Sequence, residues 1–187
     1  MLPRTLLVAA VALATLAGCE QSTPETTGAT TGTTTRATTG GAAGGAEAPA
    51  WLLTSAPADP VDVAAAKTTA SEGDQIAIRG KIGGRSDPMS VDSAVFVVMD
   101  PAIPSCADNP GDTCAKPWDY CCEPKEVITA NNATIQLVGE DGAPLAIDLS
   151  KHGIKPLDEV IAVGTVAARP NEQTLIVKAT RLYRAGS

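Results

Sequence analysis

The chain has 187 residues, a formal net charge of −7 and a single Phe, Phe96. An acidic chain this poor in aromatics lacks both the basic patch that supplies most affinity for nucleic acid and the platforms on which bases stack. Nucleic-acid binding is therefore unlikely on charge grounds, and so is lying flat on an anionic lipid surface.

In chain order, Arg4 supplies a positive start, and the run to Gly18 is apolar or small apart from Thr5 and Thr15. That run is shorter than the roughly 20 residues a membrane-spanning helix needs. It reads as a signal peptide over residues 1–18. Leu16-Ala17-Gly18-Cys19 closes it and resembles the lipobox of bacterial lipoproteins. The alternative is an ordinary secretory signal with an incidental Cys. The resemblance implies lipid on the sulfur and amine of Cys19, and so a membrane anchor in the cell envelope. It also implies, through Glu20 after the modified Cys, the outer rather than the inner membrane, facing the periplasm or the exterior.

Residues 19–50 read as a lipidated Cys and a linker. From Glu20 to Ala50, Thr, Gly and Ala make up 23 of 31 residues, with no aromatic, Leu, Ile or Val. Such a segment cannot bury enough apolar surface to offset its ordering entropy. As a flexible tether it has a root-mean-square span on the order of 30 Å. Residues 51–187 are long enough for one domain with one core. They carry 12 Lys+Arg and 18 Asp+Glu, hence 12 − 18 = −6.

Within that domain, Asp59-Pro60 predicts a helix start, continued by Val61 and Val63 to Lys67. Ser71-Glu72-Gly73-Asp74 is a turn. Gln75 to Ile82 alternates, with Ile76, Ile78, Gly80 and Ile82 on one face, as a half-buried strand does. Ala94 to Met99 is an apolar run of strand length. A cysteine-bearing loop follows over residues 101–126. Thr134 to Val138 and Pro144 to Leu149 flank Gly139-Glu140-Asp141-Gly142 as a hairpin. Glu159 to Val166 and Gln173 to Leu182 are the last strands, separated by Pro170-Asn171-Glu172.

This order predicts a mainly all-β domain with a short N-terminal helix, either a small barrel or a β-sandwich. Two stretches resemble OB-fold domains of the anticodon-binding and helicase-associated type. The first is Gly73 to Ile82 followed by Ala94 to Asp100, and the second is Asp158 to Val166 followed by Leu175 to Thr180. The resemblance implies a five- or six-stranded OB-like barrel with the cysteine loop as an insertion. Glycine at the strand centres fits a barrel whose strands bend sharply. Arg79 and Lys81, on the outer face of the first strand, read as a solvated face rather than a phosphate contact.

Beyond Cys19 the cysteines are Cys106, Cys114, Cys121 and Cys122. In an oxidising compartment close, even-numbered cysteines read first as disulfides. A bridge between adjacent Cys121 and Cys122 is strained. That leaves Cys106–Cys121 with Cys114–Cys122, or Cys106–Cys122 with Cys114–Cys121. The alternative is a metal or redox centre on the same four thiols. Against it, no Cys-x-x-Cys pair occurs and the only His, His152, lies elsewhere. Trp118 and Tyr120 could form a contact patch for a partner, or simply cover the sulfurs.

No catalytic constellation stands out, and no cofactor is implied. Asp100, Asp119, Glu123, Glu140 and Asp141 show no acid/base spacing. Asn132-Ala133-Thr134 is a weak glycosylation pattern. The sequence thus points to a non-enzymatic, lipid-anchored module that binds an envelope protein or glycan through its cysteine loop.

Overall fold

The computed structural model describes residues 48–186. The expected signal peptide, Cys19 and the tether up to residue 47 lie outside them. The elements are β1 (Leu52–Leu53), β2 (Val61–Asp62), α1 (Val63–Thr69), β3 (Gln75–Ile82), β4 (Val95–Met99), α2 (Lys125–Ala130), β5 (Asn132–Leu137), β6 (Glu159–Val166) and β7 (Ile176–Arg184). Short 3-10 turns occur at Cys106–Asp108 and Leu149–His152.

Alternation along β3 turns Ile78, Gly80 and Ile82 inward and leaves Arg79 and Lys81 on the outside. The strands that follow bury one face in the same way, because each can hide only every second side chain. β3 pairs antiparallel with β4, and β4 with β5. β5 then runs parallel to β7. β6 lies antiparallel to both β7 and β3, which closes the ring. The result is a closed five-stranded, OB-like barrel. A two-sheet sandwich, the alternative from sequence, does not form, because all strands belong to one sheet. Inside lie Ile78, Ile82, Phe96, Val98, Ile135, Leu137, Val160, Val177 and Leu182, with Val63 and Ala66 of α1 joining them. Each fully buried Val, Leu, Ile or Phe contributes about 1.5–3 kcal/mol.

The two strand glycines do what a small barrel requires. The β6–β7 register shifts between Val163 and Gly164. A Cβ at Gly164 would lie 2.0 Å from the Lys178 carbonyl oxygen and 2.5 Å from the Ala179 Cα. A Cβ at Gly80 would lie 2.7 Å from that of Val98. Only the missing side chains let the backbones approach this closely.

Four details differ from the sequence expectation. The helix begins at Val63, not near Pro60, because Val61 and Asp62 pair parallel to Ile78 and Arg79. Its N-cap residue is Asp62, not Asp59, and makes no side-chain capping bond; the first turn is satisfied instead by Asp100, whose Oδ2 accepts from the Ala64 N–H at 2.7 Å. The hairpin after β5 is a stub: Val138 bridges Pro144, and the chain then leaves the sheet for the turn at Leu149–His152. Finally, β7 starts at Ile176 rather than Gln173, whose carbonyl accepts from Lys67 Nζ at 2.6 Å.

Gly164→Ala is expected to destabilise the domain by about 1–3 kcal/mol through overpacking against β7. Urea unfolding of the variant beside the native protein measures this.

Candidate functional site

The long connection from β4 to α2 carries all four domain cysteines, and it is tied down before the first of them. Asp100 is buried, and its Oδ1 accepts from the Ala102 N–H at 2.9 Å while Oδ2 holds α1. Asp108 Oδ2 accepts from the Ser105 N–H at 2.8 Å and from the Ser105 hydroxyl at 2.7 Å. It also accepts from Lys81 Nζ at 3.0 Å. This capping box fixes the 3-10 turn that begins at Cys106. The Ser105 hydroxyl, the Ser105 N–H and Lys81 together hold the Asp108 carboxyl down to about 2.

The far side of the loop is braced by the β3–β4 connection. Cys106 N–H donates to the Pro117 carbonyl at 3.0 Å, and Gly84 N–H to the Trp118 carbonyl at 2.8 Å. Trp118 Nε1–H donates to the Ser86 carbonyl at 3.1 Å. Lys116 and Asp87 form an exposed ion pair, which contributes little.

Tyr120 is the keystone of the loop. It is the largest fully buried side chain of the described residues, at 0% exposure, and sits at φ +59°. A bulky residue is rarely found in that left-handed region. Burial of the ring offsets the strain. A Cβ at Gly83 would lie 2.8 Å from Tyr120 Cε2, so Gly83 leaves the space the ring needs. Burial, first of all, pushes the Tyr120 phenol up. Its hydroxyl has no partner among the described residues. Of the two roles weighed for this pair, contact patch or cover for the sulfurs, the geometry bears on each residue: Tyr120 is core, and Trp118 is partly buried with its indole N–H bound.

Around this anchor the four sulfurs converge. Cys114 Sγ lies 2.8 Å from Cys121 Sγ. Cys106 Sγ lies 3.5 Å from Cys121 Sγ and 3.7 Å from Cys122 Sγ. No pair among them is at the roughly 2.0 Å of a disulfide, so neither expected pairing is at bonding distance. Cap, brace and Tyr120 constrain the loop. The adjacent cysteines face different carboxylates: the Cys121 N–H donates to Asp119 Oδ1 at 2.9 Å, and the Cys122 thiol to Asp112 Oδ2 at 3.2 Å.

Two donor groups result. Cys106, Cys114, Asp119 and Cys121 place one ligand atom each within 4.8 Å of one another, and Cys106, Asp112 and Cys122 do the same. Cys106 belongs to both and is only 2% exposed. Asp112 was missed as a site residue, and Asp119 was weighed only as an acid/base. Their signal was present as a repeat, Asp112-Thr113-Cys114 and Asp119-Tyr120-Cys121. In each, the carboxylate accepts from the N–H of the Cys two residues on, at 2.7 and 2.9 Å.

Hydrogen bonds within the cluster shift its thiols in opposite directions. Burial raises the Cys106 thiol, but the Cys122 N–H and the neighbouring thiols outweigh it and lower its pKa. The Cys121 thiol pushes Cys114 up, and the Asp112 carboxylate pushes Cys122 up to about 12.

Other residues singled out from sequence lie elsewhere. His152 meets Trp51 edge-on at 5.3 Å between ring centroids. Arg79 is bonded to Asp62 at 2.7 and 3.0 Å, and Lys81 to Asp108, so both outer cations of β3 are paired. Asn132 and Thr134 lie in β5, opposite Met99 and Val97 of β4. A groove beside α1 is lined by Lys67 and Arg169, but these cations already bind backbone carbonyls of Thr129, Gln173, Ala70 and Glu172. Compared with known protein families, curated proteins and solved structures, the chain matches none.

Tyr120→Ala should cost about 3–5 kcal/mol by cavity formation, whereas Tyr120→Phe should leave stability unchanged within about 1 kcal/mol or raise it. Thermal unfolding of both variants checks this pair. Asp108 contributes stability that is fully present above the ordinary carboxylate pKa of about 4. It is lost as pH falls towards the folded value of about 2. Asp108→Asn should therefore flatten that part of the acid-unfolding curve, followed by Trp fluorescence.

Proposed function

We propose that this is a non-enzymatic lipoprotein of the cell envelope, anchored through Cys19 in the outer membrane. Its OB-like barrel carries the cysteine loop, and the loop is the binding element. The observation that supports this reading is the convergence of four sulfurs and two carboxylates on a loop the barrel already holds in place. A loop fixed by a cap and a buried ring has no need of its cysteines for support, so they are available for contact. The lipobox resemblance supports the anchor, and the acidic domain argues against nucleic acid.

Two experiments test the halves of this reading. Protein isolated from its native membranes should carry acyl mass on Cys19, and Cys19→Ser should move it to the soluble fraction. A Cys19→Ser protein still held in the membrane contradicts the anchor. For the loop, exposed Cys121 should resist alkylation in intact envelopes, yet react in denatured, unreduced protein. Full reaction in intact envelopes would mean nothing binds there. No reaction after denaturation would mean a disulfide staple.

A further inference from the structure

We propose that the loop's ligand is a cation of the zinc(II) class, held tetrahedrally by the Cys106, Cys114 and Cys121 thiolates and the Asp119 carboxylate. This inference rests on the reading of the loop as a sulfur-based binding element, and it names what is bound.

Three thiolates and one carboxylate suit a borderline cation that accepts both sulfur and oxygen. With Zn–S near 2.3 Å, tetrahedral geometry separates ligand sulfurs by about 3.8 Å. Cys106 and Cys121 are at 3.5 Å, already close to that spacing. Asp119 Oδ1 lies 3.9 Å from Cys106 Sγ. Cys114 is the exception: at 2.8 Å from Cys121 it must swing outward by about 1 Å to reach the ligand spacing. It sits on an exposed part of the loop, where such a shift is cheap. The buried vertex, Cys106, rides on the capped turn. The remaining thiols are crowded, and each that coordinates gives its proton to solvent, so affinity rises with pH. The flanking Asp112 and Glu123 add negative charge, which favours a dication.

The geometry also excludes one candidate ligand. Cys122 follows Cys121 directly, and its thiol is turned to Asp112 on the other side of Cys106. It therefore stands outside the coordination sphere.

The test is a titration of the reduced full chain, in detergent, with cobalt(II) and then zinc(II). The expected result is one cobalt per chain, with the visible bands of a tetrahedral site and a sulfur-to-metal charge-transfer band. Zinc should displace it. Asp119→Asn should weaken zinc binding at least tenfold, whereas Cys122→Ser should change it by less than about threefold. Cys106→Ser tests the buried vertex only if its circular dichroism is native. Asp119 and Cys122 are more exposed, so those variants carry the test if it is not. Absence of cobalt binding would overturn the inference, as would equal losses in Cys122→Ser and Asp119→Asn. If cobalt does not bind but Cys121 remains shielded in intact envelopes, the cation falls and the sulfur-based loop stands. If that shielding is also absent, both fall.

Discussion

Everything in this domain depends on β6 reaching both β3 and β7. That double pairing closes the sheet, and a closed sheet has no edge along which the short strands could fray or aggregate. The contact is possible only because Gly164 lets the β6 backbone ride against Lys178 and Ala179 of β7. A side chain there would force the strands apart and open the ring. Closure also fixes the ends of β3 and β4, and so the platform from which the cysteine loop departs. The order of causes runs from a missing Cβ, to a closed barrel, to a positioned loop.

The loop in turn is a small structure built on that platform. It has almost no regular hydrogen bonding, and entropy alone would leave it loose. Three devices oppose this: the Ser105–Asp108 capping box with Lys81, the bonds from Gly84 and Trp118 across to its neighbours, and the buried ring of Tyr120. The left-handed backbone at Tyr120 is a local cost accepted for global burial, as strained residues near functional elements often are. It also aims Cys121 and Cys122 to either side. The strain, the burial and the placement of the sulfurs are one arrangement.

Much of the barrel was legible because its strands obey the period-2 rule. Gln75 to Ile82 and Glu159 to Val166 were predicted with the boundaries observed, and the glycines within them signalled the tight bends. What escaped had no period to read. β1 and β2 are two residues each, and both exist only because β7 and β3 offer parallel partners. α2 buries no side chain, so it shows no apolar face. The bond that satisfies the first turn of α1 came from Asp100, 36 residues from Ala64, which no local pattern reveals. At the site, the four cysteines were plain and read first as disulfides, with a metal centre as the alternative. The Asp-x-Cys repeat that sets carboxylates beside the sulfurs was the signal not read. For Tyr120 both a contact role and a cover for the sulfurs stood open, because its burial follows from a positive φ, and the sequence offers no Gly or Asn there to announce one.

The central claim is that the barrel, not sulfur chemistry, holds the loop, and that the sulfurs are thereby left available. Hydrogen exchange on the reduced, metal-free protein tests this most directly, read at the amides of Gly84, Cys106 and Glu123. The account predicts that all three remain protected well beyond the rates of an unstructured chain, because their acceptors are Trp118, Pro117 and Tyr120. Exchange at unstructured rates, with the barrel strands still protected, would show that the loop is ordered only by its sulfurs and would contradict the account.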